Sequence, residues 1–221
     1  MNAPNHRENR PLRLAALISG GGRTLMNIVD RIEAGSLPAT VELVICSRHH
    51  APGVHLAASR GLEVTVVVRR DYSSDRTLHD AITSRLLEKG IELVCLCGYL
   101  RWLHVEKPFE GRIMNIHPAL LPEFGGKGMH GLRVHRAVLA AGRSSSGCTV
   151  HFVDEQYDHG PIILQRFCPV LTTDDEHRLA VRVFEQECLA YPEAIHLFAQ
   201  GRLRILDGRV EIASASDEVT K

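Results

Sequence analysis

Leu12 to Ser19 is an apolar run that stops at three consecutive glycines, Gly20, Gly21 and Gly22. After Arg23-Thr24 a helical pattern runs from Leu25 to about Ala34. A strand that is apolar along its whole length has to be covered on both faces, which favours a buried parallel strand. The turn that follows also makes an anion site. Its glycines let the backbone come close, and the free N–H groups and dipole of the helix start favour phosphate. A bare glycine turn is equally a common structural connection.

The pattern repeats down the chain. Strands are predicted at Val41–Ser47, Glu63–Val68, Leu93–Leu96, Ile113–Ile116, Cys148–Val153 and Ile162–Val170. Helices are predicted at Val54–Arg60, Asp75–Lys89 and Leu132–Ala141, with a long one opened by a capping box over Thr173–Glu176. Tyr191-Pro192 is expected to kink or restart that helix. These elements spell a single α/β domain over 12–206, an open, mostly parallel Rossmann-like sheet with helices on both faces. Residues 1–11 read as a disordered leader. Residues 207–221 read as a hairpin turning at Asp207-Gly208, then a polar tail.

Two sharper phosphate motifs fail. The sixth position of the dinucleotide fingerprint is Leu25, and Cys46-Ser47-Arg48 stands where an acidic residue is expected. Gly125-Gly126-Lys127-Gly128 lacks the hydroxyl residue of a nucleoside-triphosphate loop. The turn is therefore suited to a monophosphate.

Asn115 and His117 lie two residues apart at the end of a predicted strand, so they point to one face. In an open parallel sheet ligands bind beyond the carboxyl ends of the strands. An amide and an imidazole converging there suit the polarisation of a carbonyl and the stabilisation of its oxyanion. Such residues also tie up loop backbone, and both readings stand at this point. Pro118 to Gly131 is a glycine-rich loop with the character of a flap. Asp158 sits in a carboxylate-rich turn between two strands, where a backbone-bonding role is the ordinary one. Glu187 falls on the apolar helix face of Ala180, Val183 and Phe184, and a carboxylate there needs a partner. Leu100, Arg101, Trp102 and Leu103 follow a strand end, and they make either a wall for a flat aromatic ligand or ordinary core.

Lys+Arg and Asp+Glu each number 26, so the zero net charge gives no electrostatic case for nucleic acid or a membrane surface. The six cysteines form no C-x-x-C and fit buried free thiols of a cytoplasmic protein. No metal site is expected. Small-molecule substrates, and a monomer or homodimer, complete the expected partners.

Taken together, these segments resemble the phosphoribosylglycinamide formyltransferase family. The likeness rests on Ile18–Leu25, Cys97–Arg101, Asn115–Pro122, Cys148–Val153, Asp158–Gln165 and Gln186-Glu187 before Tyr191-Pro192. It implies transfer of a formyl group from 10-formyltetrahydrofolate to the amine of 5-phosphoribosylglycinamide in purine (IMP) biosynthesis, without a metal. It implies that Asn115, His117 and Asp158 are catalytic, with Asp158 raising the His117 pKa. Gly21, Gly22, Arg23 and Thr24 then hold the ribose phosphate, and Glu187 the ribose hydroxyls. Arg76 meets the folate's glutamate tail, and Leu100, Arg101, Trp102 and Leu103 with Asp154 to Asp158 wall the pteridine slot. Arg23 replaces a usual small hydroxyl residue, His159 a usual Gly and Glu123 a common Lys. A formyltetrahydrofolate hydrolase, a formyltransferase for another amino sugar phosphate, and a non-catalytic phosphate sensor are the alternatives.

Overall fold

The computed structural model describes residues 10–214. Seven strands form the main sheet: β1 (Leu12–Ile18), β2 (Ala39–Cys46), β3 (Val64–Val66), β4 (Leu93–Leu96), β5 (Ile113–His117), β6 (Ser145–Phe152) and β7 (Ile162–Pro169). Their order is β3-β2-β1-β4-β5-β6-β7. All pairs from β3 to β5 are parallel, and β6 and β7 are added antiparallel.

Alternation along β1 explains the layering. Leu12, Leu14, Ala16 and Ile18 enter one core with Leu25 and Ile28 of α1 (Arg23–Glu33) and Leu179 and Val183 of α5 (Glu176–Ala199). Ala15 and Leu17 enter the opposite core with Leu78, Ile82 and Leu86 of α3 (Asp75–Glu88). Each parallel strand is thus buried on both faces, as its apolar sequence requires. Two further helices, α2 (Pro52–Ser59) and α4 (Leu132–Ala140), complete the set.

The sequence order reverses at β1, whose neighbours are β2 and β4. The crevice beyond the ends of β1 and β4 is the topological switch point where ligands bind in such sheets. The Gly20–Gly22 turn opens onto it, and its close approach to α2 requires glycine. A Cβ on Gly22 would meet the Cα of Gly53 at 3.2 Å, and Gly22 has φ of 77°.

Several expected boundaries shift. β3 is three residues long rather than six, and α1 begins at Arg23 rather than Leu25. No capping box spans Thr173–Glu176: the side chain of Asp175 accepts from the Arg178 N–H, while Asp174 pairs with Arg182. Among the described residues a capping box forms between Ser74 and Thr77, at the start of α3. Pro192 does not restart α5, which runs unbroken for 24 residues. Proline leaves the Cys188 carbonyl without its helical donor, and the Asn27 side chain of α1 supplies one at 3.1 Å.

Of the expected leader, residues 1–9 lie outside the described residues, but Arg10 forms a two-pronged pair with Glu92 at 2.8 and 3.0 Å. Strands β8 (Leu203–Leu206) and β9 (Arg209–Ile212) form a hairpin whose turn, Asp207-Gly208, has φ of 48° and 74°. Residues 215–221 of the expected tail lie outside the described residues.

Candidate active site

Asn115 and His117 leave the end of β5 on the same face, as their spacing dictates. Strand pairing sets Asn115 opposite His151 of β6, and the turn after β6 carries Asp158 back over both. Asp158 has φ of 53°, a conformation that non-glycine residues adopt rarely. It is held there by its own carboxylate, which accepts the Gly126 N–H at 2.9 Å and one Asn115 amide hydrogen at 3.2 Å. The expected loop-capping role of Asp158 and its meeting with Asn115 are therefore the same arrangement.

The second Asn115 donor faces His151 Nε2 at 3.1 Å. His151 Nδ1 lies 2.8 Å from the Phe152 carbonyl, which assigns its hydrogen to Nδ1 and leaves Nε2 as the acceptor. Both amide hydrogens of Asn115 are thus engaged. His117 is buried, with Nε2 2.8 Å from the Phe124 carbonyl of the flap and Nδ1 3.4 Å from Asp158 Oδ2. A neutral imidazole can donate to only one of those two acceptors.

Electrostatics here follow burial first. Burial pushes the His117 pKa down, and the opposing pull of Asp158 and of the Phe124 carbonyl does not restore it. Asp158 thus pulls the His117 pKa up through its charge, as expected, but burial sets the net direction. For Asp158, burial alone would raise the pKa. The neighbouring His151 and His117 and the Gly126 N–H outweigh it and hold the carboxyl below its ordinary range. His135 of α4 is pushed to about 4 by burial and by His117.

A cavity of about 600 Å³ joins this cluster to the glycine turn. Gly21, Gly22, Arg23, Thr24, Leu100 and Glu187 line it together with Asn115, His117 and Asp158. Gly22 caps α1 without a side-chain bond, and no acid occupies the first turn, so the helix start faces the cavity with its donors unused by side chains. Arg23 stacks its guanidinium 4.1 Å from the centre of the Phe184 ring. Burial raises the Glu187 pKa to about 7, against the pull of Arg23.

Arg76, Arg101, Trp102, Leu103 and Asp154 are outside the lining of this cavity. Arg76 is exposed on α3, 3.9 Å from Asp80. Leu103 is buried in the core on the α3 side of the sheet. Trp102 donates its indole N–H to the Glu155 carbonyl and stacks edge-on against His79. Asp154 pairs with His159 at 2.7 Å. Arg101 lines a neighbouring cavity. The sequence reading missed His151 and the flap residues Lys127, Met129 and His130 that line the cavity. The pairing of β5 with β6, which no local pattern reveals, is what brings His151 in.

An open α/β sheet carries an Asn–His–Asp cluster beside a glycine turn and an uncapped helix start, a layout compatible with group transfer at the sheet's switch point. A family model described as formyl transferase matches residues 12–195, and the chain belongs to that family. Among its relatives, phosphoribosylglycinamide formyltransferase of Haemophilus influenzae is 36% identical over 197 residues, covering 88% of this chain and 91% of that protein. The chloroplastic phosphoribosylglycinamide formyltransferase of Vigna unguiculata is 37% identical over 88% of this chain, which spans 63% of that protein's length. The crystal structure of glycinamide ribonucleotide transformylase 1 from Symbiobacterium toebii superposes with a TM-score of 0.84 at 41% identity, covering 92% of this chain and 95% of that one.

Proposed function

We propose that the protein transfers the formyl group of 10-formyltetrahydrofolate to the amine of 5-phosphoribosylglycinamide, in the cytoplasm and as a step of purine (IMP) biosynthesis. The observation that carries the reading is a single cavity lined both by the Gly20–Gly22 turn with the start of α1 and by Asn115, His117 and Asp158. The relatives' names supply the acceptor.

In this reading the ribose phosphate sits on Gly21, Gly22, Arg23 and Thr24, and Glu187 accepts from the ribose hydroxyls. The neutral amine attacks the formyl carbon, a C–N bond forms and the carbonyl oxygen takes negative charge. Asn115 and His117 donate to that oxygen, a contact whose loss typically costs ~10²–10³ in rate. Their donors are occupied by Asp158, His151 and the Phe124 carbonyl. Substrate binding therefore exchanges some of these bonds for bonds to the formyl group, and the flap that carries Phe124 moves with them.

Asp158, held as a carboxylate, takes part in moving the amine proton to the departing folate nitrogen, directly or through a water. The bond from the formyl carbon to that nitrogen then breaks. A positioned acid or base of this kind contributes roughly 10²–10⁴. Hydrogen bonds alone activate the carbonyl in this scheme, so it uses no metal. The folate lies along the Leu100 to Leu103 segment, with Arg101 and Arg76 on the side of its carboxylates.

The test is to mix purified protein with 10-formyltetrahydrofolate, with and without the ribonucleotide, and follow tetrahydrofolate and formate. Turnover that requires the ribonucleotide is expected. Formate release without it would make the protein a hydrolase, and silence in both arms would leave a formyltransferase for another amino sugar phosphate or a phosphate-binding protein without this chemistry.

A further inference from the structure

One hydroxyl group ties together the ends of three neighbouring strands at the switch point. Ser19 follows β1, Ser47 follows β2, and Gly98 and Leu100 follow β4. The Ser19 N–H donates to the Gly98 carbonyl at 3.1 Å, and the Ser19 side-chain oxygen accepts the Leu100 N–H at 2.9 Å. The same oxygen lies 2.6 Å from the Ser47 hydroxyl, and both serines are buried, at 1% and 3% exposure. Because it accepts from Leu100, Ser19 has its own hydrogen to give to Ser47. Gly98 has φ of 77°, the turn by which the chain leaves the sheet there.

Ser19 does not line the cavity that holds Asn115 and His117, but the segments it joins do. Gly20, Gly21 and Gly22 line that cavity, and so do Gly98, Tyr99 and Leu100. Among the described residues, the hydrogen bonds between segments 19–22 and 98–103 are the two that Ser19 makes. We infer that Ser19 is a positioning residue for formyl transfer, fixing the distance between the glycine turn that anchors the ribonucleotide and the Leu100 segment along which the folate lies. The inference rests on the formyl-transfer reading for the identity of the two ligands. Each ligand meets its own segment, so a change in spacing leaves both affinities intact and moves the amine away from the formyl carbon. A displacement of about 1 Å between reacting groups costs up to ~10² in rate. Ser47 keeps the Ser19 hydroxyl in the rotamer that meets Leu100.

The experiment compares Ser19→Ala and Ser47→Ala with the wild type in three measurements. These are kcat per folded molecule, equilibrium binding of ribose 5-phosphate and of tetrahydrofolate each alone, and hydrogen exchange of the Leu100 amide. Leu100 is exposed, so in Ser19→Ala its freed N–H turns to water and the segment moves with it. The expected result is a kcat roughly 10- to 100-fold lower, with both affinities unchanged and faster exchange at Leu100. Ser47→Ala keeps the acceptor for Leu100 and should show a smaller fall of the same kind. An unchanged kcat would make the bond merely structural. Loss of tetrahydrofolate affinity in step with kcat would mean that Ser19 shapes one wall rather than the spacing, and equal exchange at Leu100 would remove the clamp. If Ser19→Ala does not fold, Ser47→Ala decides, and a wild-type kcat there overturns the inference. Absence of ribonucleotide-dependent transfer in the wild type would remove the catalytic reading, while exchange at Leu100 and the two affinities would still decide the clamp.

Discussion

The side-chain amide of Asn115 donates to the carboxylate of Asp158 across 3.2 Å, joining the end of β5 to the turn after β6. That carboxylate also holds the flap through Gly126. Asp158→Asn removes the charge and keeps the shape. It is expected to lower kcat by roughly 10²–10⁴ if the group moves a proton. The melting temperature should fall modestly, because the one amide oxygen still accepts from Gly126 while the new NH2 faces the Asn115 donor that Asp158 had accepted. Near-normal turnover in well-folded Asp158→Asn would remove Asp158 from the chemistry.

His151 acts on the site through Asn115. Its Nδ1 hydrogen goes to the Phe152 carbonyl, so Nε2 receives one amide hydrogen and fixes which way the Asn115 amide faces. His151→Phe keeps a buried aromatic ring and loses that acceptor. A misaimed catalytic group costs up to ~10² in rate, so kcat should fall by about 10- to 100-fold with KM for both substrates nearly constant. A rise in KM with kcat intact would mean that His151 shapes the cavity rather than aims the amide.

The parts of this molecule visible in its sequence are those written locally. The apolar run Leu12–Ser19, the glycines after it and the two-residue spacing of Asn115 and His117 carry their own geometry. So does Asp207-Gly208, which makes the hairpin it spells. Asp158 could be marked as a turn residue, but its approach to Asn115 depends on β6 running antiparallel to β5. His151 is invisible for the same reason, since only cross-strand pairing sets it opposite Asn115. The Thr173–Glu176 capping box fails because Asp175, inside the same motif, is the better-placed acceptor. Pro192 is tolerated in α5 because Asn27, far away in sequence, bonds the carbonyl that proline strands. Likewise the His117 pKa direction turns on burial, and the neighbouring Asp158 alone suggests the opposite sign.

Gly160 controls the turn that carries Asp158. A Cβ there would stand 2.0 Å from the Phe152 carbonyl oxygen, inside β6 itself. Gly160→Ala must push the turn away from the strand, an overpacking that costs roughly 1–3 kcal/mol. Denaturant unfolding should register that loss as a lower midpoint, and activity should fall more than folded fraction because Asp158 moves with the backbone. An unchanged midpoint would mean that the turn has another conformation open to it.

Glu187 supplies the pH dependence. Burial raises its pKa from the ordinary value of 4.5 to about 7, while Arg23 pulls the other way. Between those values the folded state holds a proton that the unfolded chain has released, so folding stability should fall as pH rises through that window and level off above about 7. Binding has the opposite slope. Two ribose hydroxyls donate most strongly to an ionised carboxylate, so bound ribonucleotide favours loss of that proton. KM for the ribonucleotide should therefore rise as pH drops below about 7, without a matching fall in kcat. Glu187→Gln has no proton to exchange in this range. It should flatten both profiles, leaving a pH-independent KM above that of the wild type at pH 8. A wild-type KM that stays level from pH 5.5 to 8, read in the approximate range where Glu187 titrates, would mean that the ribonucleotide does not engage this carboxylate.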